Sequence, residues 1–156
     1  MMIRWFAALA CVAMCAAPGL LYAQGGPSLW TNGIIPTRSV WSGVYTEAQA
    51  ARGEKIYHRQ CAECHLDFLE GDPSEGPPPL AGDHFMVNWD GLSIADLAHH
   101  MHTQPNDDPS DMDYTTATDL VAFILAFNNV PAGSAELPSD RAIQAQIGIT
   151  AQPPSR

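Results

Sequence analysis

The chain has 156 residues, enough for one domain of ordinary size and too few for two. Hydrophobic residues make up 46% of it and charged residues 15%, which argues for a packed core and against a disordered chain. Seven basic residues against 17 acidic ones give a formal net charge of −10, and a chain so acidic repels phosphate backbones, so nucleic acid is not an expected partner. The 13 prolines and 12 glycines predict long connecting loops.

The N-terminus reads as a targeting segment. Met1 to Arg4 is a short positive region, Trp5 to Ala17 is almost wholly apolar, and Leu21-Tyr22-Ala23 puts a small residue ahead of Gln24. That is the layout of a secretory signal peptide, with an apolar core too short to span a bilayer. A retained membrane anchor is the competing reading. A lipoprotein site fits less well, because Cys11 lies early in the apolar run and Cys15 follows the bulky Met14. Cleavage near Ala23 leaves an exported, periplasmic or similarly located chain with no stable membrane anchor. It keeps six basic and 17 acidic residues, a balance of −11. Cys11 and Cys15 leave with the signal. Cys61 and Cys64 remain, too few for a disulfide framework.

Residues 24–44 read as an irregular N-terminal arm, punctuated by Gly25-Gly26-Pro27, Asn32-Gly33 and Pro36. A helix is predicted from Thr46, where Thr46-Glu47-Ala48-Gln49 forms a capping box in which Thr46 and Gln49 satisfy each other's free backbone donors. Ala50, Gly53 and Tyr57 share one face of that helix. Gly53 costs about 1 kcal/mol relative to alanine there, which implies close approach by another helix. Residues 67–83 form a long Gly- and Pro-rich loop, of a length that is usually functional or wrapped around something. A second helix starts at Ser93, whose capping pattern ends at Asp96. Ile94, Leu97, Ala98 and Met101 make its apolar face, with His99, His100 and His102 mostly off it. Residues 103–114 are polar and turn-rich. The strongest helix follows over about 115–128, with a stripe of Leu120, Phe123, Ile124 and Phe127, and Pro131 and Gly133 stop it. Residues 139–156 read as a tail or a short helix around Arg141 to Ile147. No internal repeat and no convincing strand are found. The reading is an all-α domain over 45–138 with about three main helices.

Cys61-Ala62-Glu63-Cys64-His65 is C-x-x-C-H, the attachment pattern of c-type haem. The two thiols add across the two porphyrin vinyl groups, and a two-residue gap near a helix end matches the separation of those groups. The following histidine then lies under the ring and gives Nε2 to the iron. A zinc site needs four N or S ligands. Only two cysteines remain after cleavage, and His99 and His102 are poorly spaced for a finger. A thioredoxin-like pair needs a strand before the motif, whereas Thr46 to Gln60 reads as helix. Export also suits thioether formation, which occurs outside the cytoplasm.

From about Val40 to Pro138 the chain resembles class I cytochromes c, and in finer detail the small single-haem cytochromes that accompany periplasmic quinoprotein dehydrogenases. The matching words are Trp41-Ser42-Gly43-Val44-Tyr45-Thr46, Gly53 with Tyr57, the haem motif, Pro78-Pro79-Leu80-Ala81-Gly82-Asp83, Trp89 with Gly91, and the helix around Asp119-Leu120. The resemblance implies a class I cytochrome c fold around one covalent haem c, held by Cys61 and Cys64 with His65 as proximal iron ligand. It implies that Gly53 meets an aromatic of the last helix, Phe123, at a helix crossing. It further implies that the Pro78 carbonyl accepts a hydrogen bond from His65, raising its donor strength. Trp89 would close the propionate side with its indole N–H, or serve as ordinary core.

One element departs from the family pattern. Where the family places methionine before the loop proline, this chain has Thr103-Gln104-Pro105. The sixth ligand is open among Gln104, which holds the methionine's register, and Met112, His102 and Met101. The implied function is one-electron transfer by a carrier, not an enzyme. Its donor would be a quinoprotein dehydrogenase and its acceptor an oxidase or another cytochrome. The alternative is a haem protein with an open or weakly held sixth position that binds a small gas or peroxide, with weak peroxidase activity.

Overall fold

A computed structural model describes residues 34–72, 74, 76–104 and 112–155. The segment read as a signal peptide, residues 24–33 of the N-terminal arm, and residues 105–111 lie outside the described residues. The chain runs through β1 (Arg38–Ser39), a 3-10 turn (Val40–Ser42), α1 (Glu47–Gln60), α2 (Ala62–His65), α3 (Gly82–Asn88), α4 (Ile94–His102), α5 (Tyr114–Phe127), α6 (Arg141–Gln144) and β2 (Ile147–Gly148). This is the expected all-α class I cytochrome c fold. None of the described helices is long and apolar enough to cross a membrane.

The two long helices, α1 and α5, form the main packing contact. Gly53 makes it possible. A Cβ at that position would stand 1.9 Å from the Asp119 carbonyl oxygen and 2.8 Å from Phe123 Cβ, so only a hydrogen fits between the backbones. Tyr57 stands one turn further on, with its ring 5.3 Å from that of Phe123. Beside the crossing Arg52 grips Asp119 through two hydrogen bonds of 2.8 and 2.9 Å, and reaches Glu136 with the same guanidinium. α5 is buried along most of its length, from Ala117 to Leu125, and α4 covers its other side with Ile94, Leu97, Ala98 and Met101.

The helix starts follow the predicted caps, with one difference. Ser93 and Asp96 form the full reciprocal box at α4. At α1 the Thr46 hydroxyl accepts from the Gln49 N–H at 3.2 Å, but the Gln49 side chain does not return to the cap. It is buried, and it brackets the peptide of Leu137, donating to the carbonyl at 2.9 Å and accepting from the N–H at 2.8 Å. A buried amide satisfies both its groups best on another peptide, and the segment after α5 supplies one.

Three further differences from the expected elements have physical causes. The predicted loop of 67–83 ends in α3, whose first residue is glycine and whose N-cap, Ala81, has no capping oxygen. The cap comes from far away: the Asn128 side-chain oxygen accepts from the Gly82 N–H at 2.8 Å. Two short strands exist where none was read, β1 and β2, paired in parallel as Arg38 with Ile147 and Ser39 with Gly148. Two residues are too few to display an alternating pattern. Residues 139–155 are no loose tail, for Gln144, Ile147 and Ile149 are buried, and Trp41 donates its indole N–H to the Thr150 carbonyl at 2.9 Å.

Candidate haem-attachment site

Two thiols and an imidazole gather at the end of α1. Cys61 caps that helix, its N–H bonding the Tyr57 carbonyl, and α2 then makes a single turn. Within that turn the N–H groups of Cys64 and His65 both bond the Cys61 carbonyl, at 3.1 and 2.8 Å. Residues three and four apart share a helical face, so this turn gathers Cys61, Cys64 and His65 on one side. Leu66 ends it in the left-handed region with φ of 62°, and its carbonyl is held at 2.5 Å by the Tyr57 hydroxyl. A residue of the core therefore fixes the point where the chain leaves the motif.

The loop that follows closes on itself. The Leu80 N–H bonds the Leu69 carbonyl at 2.8 Å, the Gly71 N–H bonds the His65 carbonyl at 3.1 Å, and the Asp72 N–H bonds the Pro77 carbonyl at 3.1 Å. Gly71 has φ of 58°, and a Cβ on it would lie 2.4 Å from the Pro77 oxygen. The waist of the loop thus requires glycine on two counts. Closure carries Pro78 over the motif: His65 Nδ1 lies 3.0 Å from the Pro78 carbonyl oxygen, which can only accept. That bond assigns the proton to Nδ1 and leaves the Nε2 lone pair for a metal.

The electrostatics favour the same chemistry. Burial, opposed by the Pro78 bond, holds His65 below its ordinary value of 6.5, so the ring is neutral at pH 7 and able to donate. Burial, with Cys64 nearby, pushes the Cys61 thiol up to about 11. A thiol so firmly protonated is a poor zinc ligand and a poor redox nucleophile. Cys61 and Cys64 form no disulfide. Among the described residues no group of three or more His, Cys, Asp or Glu side chains is arranged to hold a metal ion. Two unpaired thiols and one oriented imidazole are the donor set of a c-type haem, and the residues fit that group.

The other residues singled out from the sequence lie at the end of α3, in and just after α4, and just before α5. Trp89 is half-buried, its ring 6.1 Å from that of Phe85 and 5.5 Å from that of His100. Its indole N–H has no hydrogen-bond partner among the described residues. Met101 and Met112 are buried core side chains, and His102 and Gln104 are half-buried. His102 donates from Nδ1 to the Met112 carbonyl. Two contributors were not legible in the sequence, Gly71 and Asn128. Asn128 is buried and donates to the carbonyls of Leu80 and Ile124 at 2.9 and 2.8 Å while capping α3, so it ties the end of the loop to α5. An asparagine just after a helix is a common end signal, and nothing nearby in sequence marks its distant partners.

Residues 48–124 match the family model for cytochrome c oxidase, cbb3-type, subunit III. No curated protein and no solved structure matches the chain. The matched span runs from the first turn of α1 to the middle of α5 and encloses the haem motif and its loop. Over these residues, and in the helical fold around them, the chain is similar to a class I cytochrome c domain.

Proposed function

We propose that the protein is an exported mono-haem c-type cytochrome that carries one electron at a time between periplasmic redox partners. The observation that carries the reading is the His65–Pro78 bond beside two unpaired thiols, an imidazole aimed by a backbone carbonyl with Nε2 left for iron. When bound, the haem supplies a one-electron couple at iron. Cys61 and Cys64 hold the ring through thioether bonds. His65 is the proximal ligand, and the Pro78 carbonyl fixes its plane and raises its basicity. Trp89 offers its unpartnered indole N–H to a propionate.

The donor in this reading is a quinoprotein dehydrogenase and the acceptor an oxidase or another cytochrome. The words shared with cytochromes of such dehydrogenases support the first. The description of the matched model, an oxidase subunit, is compatible with the second. The chain acts as a carrier, not as an enzyme. The test is export in a host that attaches haem c, followed by a haem stain after denaturing electrophoresis and spectra in both oxidation states. Expected are one covalent haem per chain, a reversible couple, and loss of the stain in the Cys61→Ser, Cys64→Ser double variant. An unstained wild-type chain removes the reading.

A further inference from the structure

The chain leaves the C-x-x-C-H turn through a small closed loop. Leu66 follows His65 directly, and the Gly71 N–H returns to the His65 carbonyl at 3.1 Å, so residues 66–70 are tied to His65 at both ends. Within the loop Leu69 is fully buried and belongs to the core, and its carbonyl holds the Leu80 N–H at 2.8 Å. Its neighbour Phe68 is 72% exposed, and Leu66 is 41% exposed. The fold keeps this arrangement against two costs. An aromatic ring left in water forgoes the burial that normally stabilises it. Leu66, at φ of 62° and ψ of 167°, occupies a region that is essentially glycine's, and Leu69 has φ of 59°. Backbone held in this way gathers at binding and catalytic sites, where the surrounding structure over-determines it. Here the Phe68 N–H donates to the Glu70 carboxylate at 2.8 Å, which locks the tip of the loop.

Negative charge surrounds the ring. Residues 59–72 carry four carboxylates, on Glu63, Asp67, Glu70 and Asp72, against a single arginine, Arg59. Glu63, Asp67 and Glu70 are exposed, and Asp67 lies 3.5 Å from His58. An apolar centre with a charged, solvated rim is the anatomy of a protein docking surface, and an aromatic anchor at the centre carries much of the binding energy.

We infer that Phe68 and Leu66 are the apolar centre of the surface on which this protein docks its redox partner, and that the partner presents an apolar patch ringed by lysine or arginine. The inference rests on the carrier reading above. The acidic rim selects the sign of the partner, and the exposed ring supplies the contact that charge alone does not. Because the loop is closed on the His65 carbonyl, the docking surface and the iron ligand share one short piece of backbone.

The test uses the holoprotein and probes that separate charge from apolar contact. Tris(phenanthroline)chromium(III) is a redox-inert trication with an aromatic surface, and hexaamminechromium(III) carries the same charge without one. Titration calorimetry should show the first binding, and Phe68→Ser should weaken it about fivefold, the worth of one partly buried aromatic contact, while leaving the second unchanged. Glu63→Gln, Asp67→Asn and Glu70→Gln should weaken both trications, by about twofold for each carboxylate lost. The rate at which tris(phenanthroline)cobalt(III) takes one electron from each reduced haem, leaving iron(III) and cobalt(II), should fall in the same variants. The rate with ferricyanide, a hydrophilic anion, should not fall. Phe68→Ser should keep the wild-type Soret band and midpoint potential. A displaced band or potential in that variant shows that the ring packs on the haem and overturns the inference. It is also overturned by a wild type that does not bind tris(phenanthroline)chromium(III), or by binding that Phe68→Ser leaves intact. A chain that takes the haem stain but fails these tests sinks this inference alone, whereas an unstained chain sinks the carrier reading.

Discussion

Replacing Gly53 by alanine puts a methyl group where the Asp119 carbonyl oxygen stands, 1.9 Å from the new carbon. To reach even a tight 3.0 Å contact, α1 and α5 must part by about 1 Å, because the obstruction is backbone and cannot rotate aside. A radial gap of about 1 Å forfeits about half of each dispersion contact across the crossing. With about 40 atom pairs at 0.1–0.2 kcal/mol each, the loss is about 2–4 kcal/mol. Alanine returns about 1 kcal/mol through its higher helix propensity. The net expectation is destabilisation by about 1–3 kcal/mol. In urea, with a slope of about 2 kcal/mol per molar, the unfolding midpoint of the holoprotein should fall by about 0.5–1.5 M. Far-ultraviolet circular dichroism follows the helices, and the Soret band reports whether the haem environment loosens with them. The sign is decisive, since in an exposed helix this substitution stabilises. A Gly53→Ala protein as stable as the wild type refutes the close crossing.

Asn128→Ala should destabilise by about 2–4 kcal/mol, because it removes three side-chain hydrogen bonds and strands the Leu80 carbonyl and the Gly82 N–H, while the Ile124 carbonyl keeps the backbone N–H of residue 128. Faster amide exchange at Gly82 should accompany it, and unchanged exchange there counts against the distant cap. His99 is held below 6.5 by burial and by Arg141, His102 and His100, with Asp96 acting in the other direction. The unfolded chain therefore takes up this proton first, so its stabilisation is present above about pH 6.5 and lost as pH falls below it. Thermal midpoints should drop less on acidification in His99→Gln, and parallel profiles refute the assignment. Finally, the acidic balance predicts that reduction by the donor slows with added salt, as electrostatic steering toward a positive patch is screened. A flat ionic-strength profile removes steering.

Much of this protein was legible before any coordinates. C-x-x-C-H at residues 61–65 carries its chemistry in five adjacent residues, and helices start at Thr46 and Ser93 because a capping side chain acts within three residues of itself. The apolar stripe of α5 is visible for the same reason, since a helix repeats its face every three or four residues. Even the α1–α5 crossing was foreshadowed by a glycine kept inside a helix. What escaped the sequence depends on residues far apart. The Gln49 side chain looks like half of a local capping box, yet it lies closer in space to the Leu137 peptide, 88 positions away. α3 opens with glycine and takes its cap from Asn128, 46 positions on. The carbonyl that aims His65 arrives through a loop pinched at Gly71. Local signals determined which segments are helical and where haem chemistry is attached, because propensity, capping and motif act over a few residues. Tertiary structure decided which backbone groups meet, since a buried polar group takes whatever partner the packed fold brings within reach.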